Sequence, residues 1–188
     1  MTDSDPMRKD LSISTLKAQL LSVVVGFPVA GIQAAVFGLV WGAARLTDAF
    51  KTALSERMGW ALLLILAGIL FHELLHGLGW ILASRKGWET VSFGFQLKTL
   101  TPYAHIDGRL TVRAYRLGTA FPLLVLGLLP WMAALLLGNP YLNLFGLVFT
   151  MLSAGDLMAL WLLRRAKGDQ NVQDHPSRVG VYLYSDQE

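Results

Sequence analysis

The sequence predicts an all-α polytopic membrane protein with four transmembrane helices and a short β-hairpin-like segment at the cytoplasmic face. Hydrophobic residues make up 54% of the 188-residue chain and charged residues only 15%, whereas a soluble domain contains about 25% charged residues. The apolar residues are concentrated in long blocks, each with the roughly 20 residues that a membrane-spanning helix requires. The chain length favours a single domain over residues 1–188.

Four apolar blocks are predicted to be helices, because backbone groups in lipid must form their hydrogen bonds within the segment. The predicted transmembrane helices cover residues 19–44, 58–84, 117–137 and 141–163. The first block begins too late and is too long for a simple cleaved signal peptide, so we expect it to be retained as an anchor. Pro122 and Pro130 in the third block are compatible with kinks, but ordinary membrane-helix composition is the favoured interpretation.

Polar segments lie at both ends of the chain. Residues 1–17 form a charged N-terminal tail that we expect to be loosely ordered. Residues 168–188 form a polar C-terminal tail, in which the stretch VGVYLY has the composition of a short strand. His175, in the stretch DHPSR of this tail, is expected to be a solvated residue.

The distribution of basic residues predicts that both termini lie in the cytoplasm. With four spans, the two tails and residues 85–116 share one side of the membrane, and that side contains 13 of the 16 lysine and arginine residues. Cytoplasmic loops of membrane proteins carry such an excess. Because these residues cluster at the ends of the apolar blocks, we interpret the net charge of +3 as an orientation signal and not as a nucleic-acid-binding patch.

Residues 85–116 alternate apolar and polar side chains over several positions, in the stretch TVSFGFQLKTLTPYAHIDGRLTV. This alternation, together with a DG turn signal, predicts one or two strands that form a hairpin at the cytoplasmic membrane face. The edge of such a hairpin could hold an extended substrate by strand addition, and a simple membrane-surface hairpin explains the pattern equally well. His105 lies in this stretch, where we favour a surface position over contact with a substrate or site.

The stretch FHELLHGLGW places His72, Glu73 and His76 inside the second apolar block. On a helix, residues four apart lie on one face about one turn from each other, so both imidazoles can bind one Zn²⁺ at about 2.0–2.1 Å. Glu73 points to the edge of that face and can act as general base toward a zinc-activated water. The spacing therefore predicts a catalytic zinc site with two histidine ligands and a glutamate base.

The membrane setting strengthens this prediction. An ionised residue at the centre of a membrane helix costs on the order of 2.5–3.5 kcal/mol, so a cluster of ionisable residues there requires a reason. A random match to the motif is expected in well under about one in a hundred chains of this length. The alternative is a polar cluster that joins helices through hydrogen bonds.

Asp156, in the stretch MLSAGDLMALWLL, is the predicted third ligand. A hydrolytic zinc site has three protein ligands and an open position for water, and the chain contains no cysteine. The second and fourth helices run in the same direction, and at 1.5 Å per residue His72 and Asp156 lie at depths of roughly 21 and 22 Å. Gly155, Gly77 and Gly79 would allow these helices to approach closely. A helix–helix hydrogen bond or a proton relay is the alternative role for Asp156.

These motifs resemble those of site-2 proteases, intramembrane zinc metalloproteases with HExxH in one membrane helix and an aspartate in a later one. The sequence is more closely similar to a zincin peptidase family of small bacterial membrane proteins, through HELLHGLGW, FGFQLKTLTPYAH, YRLGTAFPLL and SAGD. The resemblance implies a Zn²⁺ peptidase of the bacterial inner membrane with His72, His76 and Asp156 as ligands and Glu73 as base. The Ser-Ala-Gly-Asp context differs from that of site-2 proteases and leaves the substrate type open.

We therefore predict a zinc-dependent, membrane-embedded peptidase that hydrolyses peptide bonds within or next to the membrane. Its expected partners are the lipid bilayer and a membrane protein or peptide substrate, with no nucleic acid, and the sequence indicates no oligomeric state. An ion or proton transporter would need ionisable residues along several helices, whereas here they are concentrated at one depth. A non-catalytic adaptor with a structural metal site would have no use for Glu73.

Overall fold

The computed structural model describes residues 8–97 and 101–184, which are mostly helical with short β-strands. The described residues do not include residues 1–7 and 185–188 of the predicted tails. They also do not include residues 98–100 of the predicted hairpin, and thus not Lys98, which was counted in the orientation argument. The α-helices of the described part are α1 Thr15–Trp41, α2 Ala43–Ser55, α3 Met58–Ser84, α4 Val112–Pro122, α5 Leu129–Leu137, α6 Pro140–Leu152 and α7 Ala154–Leu162. Its strands are β1 Arg8–Ile13, β2 Val91–Gln96, β3 Thr101–Ile106, β4 Arg109–Thr111, β5 Asn171–Asp174 and β6 Val179–Tyr184.

Within the described residues, three helices are long and apolar enough to cross a membrane. They are α1, α3 and the run Val112–Leu137, which consists of α4, a π-helical segment at Leu123–Leu128, and α5. A fourth span exists only if α6 and α7 are counted together, because the chain bends by 44° between them. Helices with the length and composition of membrane spans are therefore present as predicted, while the fourth predicted helix is a bent pair and not one straight span.

The bend lies at Ser153, where α6 ends. The backbone N–H of Ser153 still donates to the carbonyl of Phe149 at 3.0 Å, but α7 begins in a new direction at the next residue. Sharp helix kinks are common where glycine and serine occur together, and Gly155 lies two residues after Ser153. As a result Asp156 lies in the first turn of α7 and not midway along a straight helix.

The segment after the first apolar block is also helical, although the sequence prediction left residues 45–57 between two spans. Gly42, with a φ of 91°, separates α1 from α2. This left-handed conformation favours glycine because it has no Cβ. Helix α2 contains Arg45 and Lys51, and its mixture of charged and apolar side chains does not produce the long apolar block by which the other helices were predicted.

The chain forms two compact units. The first unit consists of the described parts of Met1–Leu21, Glu73–Phe121 and Gly155–Glu188. The second unit consists of Ser22–His72 and Pro122–Ala154. The first unit contains all the described strands, and side chains such as Ile106, Val172 and Val181 form its buried core. In the second unit Phe149 of α6 is fully buried and lies against Gly68 of α3. Helix α3 is continuous and contributes residues to both units.

The strands of residues 8–97 and 101–184 form a four-stranded sheet in the order β1-β6-β5-β4 and a separate two-stranded sheet, β2-β3. Strand β6 contains the stretch VGVYLY, so the short strand predicted there is confirmed. For residues 8–13 the expectation of a loosely ordered tail was wrong, because they pair with β6 in an antiparallel register in which Leu11 faces Val181. Leu11 packs against the core of the first unit, which explains why this part of the tail is ordered.

The hairpin predicted in residues 85–116 is confirmed, because β2 and β3 pair antiparallel with Val91 opposite Ile106. The DG signal does not form its turn, however. Asp107 and Gly108 connect β3 to β4, and β4 pairs with β5 of the larger sheet. Gly108 has a φ of 78°, so the dipeptide does make a turn, but this turn leads out of the hairpin.

Candidate metal centre

Helix α3 presents two histidines on one face. The helix is unbroken from Met58 to Ser84, so His72 and His76 are one turn apart on the same side. Both imidazoles are buried, with only 7% of each residue exposed. The helical spacing that the sequence predicts is therefore present, and the two rings face the interior of the protein and not lipid or solvent.

Asp156 of α7 joins the two histidines. Its Oδ1 lies 3.2 Å from Nε2 of His76, and one ligand atom from each of His72, His76 and Asp156 lies within 4.8 Å of the other two. The structure thus brings together all three predicted ligands. The depth argument matched Asp156 with His72. In the structure the carboxylate of Asp156 contacts His76, which lies one turn after His72 on α3.

The donor set fits zinc. Two protein atoms bound to Zn²⁺ at about 2.0–2.2 Å in tetrahedral geometry are about 3.3–3.6 Å apart, and the observed contact of 3.2 Å between His76 and Asp156 is close to that value. Two imidazoles and one carboxylate are ligands of the type found in hydrolytic zinc sites, where the fourth position receives water or substrate. Small side-chain movements would bring the remaining separations, at most 4.8 Å, to those of a tetrahedral site.

Glu73 lies at the edge of the cluster. It is half-buried and its carboxylate is close enough to interact electrostatically with His76. It is not among the three residues whose ligand atoms converge. This arrangement fits a residue beside the metal and outside its ligand set, and its role as general base stays a prediction.

Helix α4 supplies no ligand, yet it holds His76 in place. The main-chain carbonyl of Gly118 accepts a hydrogen bond from Nδ1 of His76 at 3.2 Å. The imidazole ring of His76 also stacks on Trp80, with centroids 5.4 Å apart and an interplanar angle of 18°. Trp80 in turn stacks on Tyr115 of α4 and donates from its indole N–H to the Tyr115 carbonyl. The orientation of the imidazole is therefore set by the Gly118 carbonyl of α4 and by Trp80, which lies on α3 itself and is held against α4 by Tyr115.

The close crossing of α3 and α4 depends on glycine. A Cβ atom at Gly79 would lie 2.8 Å from Cα of Gly118, and one at Gly118 would collide with the indole of Trp80. Gly77 faces Val91, Trp88 and Phe93 of the hairpin region in the same way. The sequence prediction assigned Gly77 and Gly79 to an approach between α3 and the helix of Asp156. The structure corrects this: they serve the contacts of α3 with the hairpin and with α4.

Helix α4 also holds the helix that carries Asp156. The guanidinium of Arg116 donates hydrogen bonds to the carbonyls of Leu163 and Ala166, directly after the end of α7. A cation at a helix C-terminus satisfies free carbonyls and interacts favourably with the helix dipole. In the sequence Arg116 was counted only as an orientation signal, and no local pattern reveals that it caps a helix nearly fifty residues later.

Comparison with known proteins agrees with the geometry. The sequence model of a protein family described as "Putative zincin peptidase" matches residues 65–170, which is more than half of the chain. The chain belongs to this zincin peptidase family. The matched region contains both the histidine motif of α3 and Asp156, and the family indicates a zinc metallopeptidase. No curated protein and no solved structure matches the chain.

The third histidine of the chain, for which the sequence favoured a surface position, is partly buried. His105 of β3 is wedged between two carboxylates, with Nδ1 2.8 Å from Oδ2 of Asp174 and Nε2 3.4 Å from Oδ1 of Asp107. Asp174 also accepts a hydrogen bond from the hydroxyl of Tyr115 at 2.9 Å. The hydrogen bond to Asp174 raises the pKa of His105, and the two carboxylate charges add to that effect against opposing burial. The residue ties the hairpin to β5.

The fourth histidine of the chain is buried and not solvated as expected. His175 is 9% exposed, and its Nδ1 accepts hydrogen bonds from the backbone N–H groups of Ser177 and Arg178 at 3.1 and 3.0 Å. Its Nε2 lies 3.0 Å from the hydroxyl of Tyr182. Burial lowers the pKa of this imidazole. His175 thereby organises the turn between β5 and β6, a role that the polar stretch around it did not reveal.

Proposed function

We propose that this protein is a membrane-embedded zinc peptidase that hydrolyses peptide bonds within or next to the membrane. The convergence of His72, His76 and Asp156 to within 4.8 Å carries this proposal. The zincin peptidase family of the chain supports the reaction type, and the length and composition of α1, α3 and Val112–Leu137 support the membrane setting.

The chemistry follows from the groups at the centre. Zinc, when bound, supplies a Lewis acid that polarises the scissile carbonyl and lowers the pKa of water toward about 7. Glu73 takes a proton from the attacking water as the water oxygen bonds to the carbonyl carbon. The C–N bond then breaks, and Glu73 returns the proton to the leaving amine. His72, His76 and Asp156 hold the metal and take no part in the proton transfer.

The position of the site along α3 supports cleavage inside the bilayer. Ser84 ends α3 eight residues after His76, which corresponds to about 12 Å of helix. The basic residues that follow α3 predict that this end faces the cytoplasm. We therefore propose that the centre lies in the cytoplasmic half of the membrane, with both termini of the chain on the cytoplasmic side.

We further propose that the substrate binds as an extended strand along β2. A peptide bond inside a helix is hydrogen-bonded and must unwind locally before it is cut, and strand addition to a hairpin edge holds the unwound segment. Val91 and Phe93 of β2 lie against Gly77, the residue that follows His76. A strand added beside β2 would thus run next to the candidate ligands.

The first test is the zinc content of the purified, detergent-solubilised protein. We expect about one zinc per chain in the wild type and in Glu73→Gln, and loss of zinc in His72→Ala and Asp156→Ala, because the tetrahedral site then lacks one of its three protein ligands. Zinc retained in full by Asp156→Ala would remove Asp156 from the ligand set. A wild-type protein without zinc would contradict the proposal as a whole.

The second test is hydrolysis of a quenched fluorescent peptide with an apolar segment, reconstituted with the protein in liposomes. Loss of a general base reduces the rate by about 10²–10⁴-fold, so we expect this loss in Glu73→Gln although zinc is retained. Glu89→Gln is the matched control, since Glu89 lies in the short helical turn after α3. We expect this variant to cleave the peptide at the wild-type rate. Full activity of Glu73→Gln would contradict the mechanism and favour the non-catalytic alternative.

A further inference from the structure

We propose that Pro122 is a positioning residue for the metal centre, because it leaves the carbonyl of Gly118 available to orient His76. The inference rests on the proposed function in one respect, namely that His76 is a metal ligand. It assigns a role to a residue that touches neither metal nor substrate, and it depends on observations at α4 that the ligand geometry does not include.

The two ring nitrogens of His76 have different partners. Nδ1 faces the carbonyl of Gly118 at 3.2 Å, whereas Nε2 faces Oδ1 of Asp156 at 3.2 Å. A carbonyl can only accept a hydrogen bond, so Nδ1 must carry a proton. The lone pair of the neutral ring is then on Nε2, the atom that faces the other candidate ligands. Such an outer partner fixes both the tautomer and the ring orientation of a metal-binding histidine.

The availability of the Gly118 carbonyl follows from the sequence of its own helix. In an α-helix the carbonyl of residue i accepts from the N–H of residue i+4. For Gly118 that residue is Pro122, which has no N–H. The helix continues through Pro122 and changes to a π-helical segment at Leu123. Proline thus removes the ordinary helical donor at the carbonyl that Nδ1 of His76 contacts.

The packing around this carbonyl explains why a main-chain group performs the task. Gly118 has no side chain, and the adjacent crossing at Gly79 brings α3 and α4 too close for one. Trp80 covers the crossing and stacks on the ring of His76. A substitution of Gly118 would therefore disturb packing and orientation together, which makes Pro122 the cleaner position for a test.

The decisive variant is Pro122→Ala. Alanine restores an N–H that donates to the Gly118 carbonyl and competes with Nδ1 of His76. Loss of an outer partner of a metal-binding histidine typically weakens metal affinity by about 10–100-fold, so we expect a zinc dissociation constant about 10-fold higher, measured by chelator competition. The absorption bands of the Co²⁺-substituted protein should shift as well, because a reoriented imidazole changes the ligand field.

Pro130→Ala is the matched control. It makes the same chemical change eight residues later in the same helical run, about 12 Å further along the axis. We expect wild-type zinc affinity and an unchanged Co²⁺ spectrum for this variant. Equal weakening by both substitutions would mean that straightening the helix, and not the carbonyl of Gly118, is responsible, and would overturn the inference.

A measurement on the wild type avoids any dependence on the folding of variants. In ¹⁵N spectra of the zinc-loaded wild-type protein, with the ring of His76 assigned by correlation to its own backbone, we expect His76 to show a protonated Nδ1 and a metal-bound Nε2. The reverse tautomer, or wild-type zinc affinity in Pro122→Ala, would overturn the role of Pro122 while leaving the zinc site itself intact. A wild-type protein that binds no zinc, or retention of zinc by His72→Ala, would instead overturn the proposed function.

Discussion

Two histidine–aspartate pairs in this protein have similar contact distances, but they join different elements and their ring nitrogens have different partners. His76 lies 3.2 Å from Asp156, and His105 lies 2.8 Å from Asp174. The first pair joins two candidate membrane segments, and the second joins two β-sheets. A short histidine–carboxylate contact therefore does not by itself define a metal site.

The difference lies in what the ring nitrogens contact. His105 directs Nδ1 to Asp174 and Nε2 to Asp107, so both nitrogens are engaged with carboxylates and neither faces a second imidazole. His76 directs Nδ1 to a main-chain carbonyl, which leaves Nε2 facing an acid in a cluster that also contains His72. A metal site needs several converging donors with one lone pair available on each, and only the first pair meets that condition.

The largest expected effect separates the two pairs by zinc binding. We expect His76→Ala to abolish stoichiometric zinc, because the site then retains only two protein ligands. We expect His105→Ala to bind zinc as the wild type does. The measurement is metal content after gel filtration, and comparable zinc loss in both variants would show that the two histidines belong to one functional site.

A smaller effect concerns the stability of the second pair. Asp174 accepts hydrogen bonds from His105 and Tyr115, and hydrogen bonds to a charged group contribute about 1.5–3 kcal/mol each. We expect Asp174→Asn, which keeps the shape and loses the charge, to lower the unfolding midpoint by about 3–10 °C. Asp107→Asn is the control, since that side chain is 68% exposed, and its midpoint should stay within about 1–2 °C of the wild type.

The smallest effect is the pH dependence of that stability. The pKa of His105 is raised in the folded state by its hydrogen bond to Asp174. Its contribution to the free energy of unfolding is therefore complete below the unfolded value of about 6.5 and is lost as the pH rises through the folded pKa. We expect the midpoint difference between wild type and His105→Gln to be largest below about pH 6.5 and to decrease as the pH rises above that value.

His175 supplies the internal control for this pH series, because its pKa is lowered by burial. Its contribution to stability is present above about pH 6.5 and is lost as the pH falls through the folded pKa. The midpoint difference between wild type and His175→Gln should therefore grow with rising pH, opposite in sign to that of His105→Gln. Parallel curves for the two variants would contradict the assignment of these shifts to the individual histidines.

The contrast between the pairs also explains which site residues the sequence could predict. His72 and His76 are four residues apart on one helix, so their convergence is a local property of helix geometry. Asp156 was predicted because a carboxylate inside an apolar block is rare. No comparable signal marked Asp174, which lies in a polar tail where aspartates are ordinary, or His105, whose partners come from other elements.

The fold shows the same division. The long apolar blocks predicted α1, α3 and most of the Val112–Leu137 run, since only helices satisfy their backbone in lipid. The bend between α6 and α7, the helix α2 and the pairing of residues 8–13 with β6 were not predicted. Each depends on contacts or chain directions that hydrophobicity does not encode.

The sequence by itself determined the class of the protein, the helical spacing of two imidazoles beside a glutamate, and the presence of a carboxylate in a second apolar block. These properties are encoded within single segments by helical period and composition. Only the tertiary structure decided that α4 supports the site without supplying a ligand, through the Gly118 carbonyl to His76 and through Arg116 at the end of α7. Such support depends on where distant main-chain carbonyls lie in space, and a carbonyl has no residue type by which a sequence could reveal it.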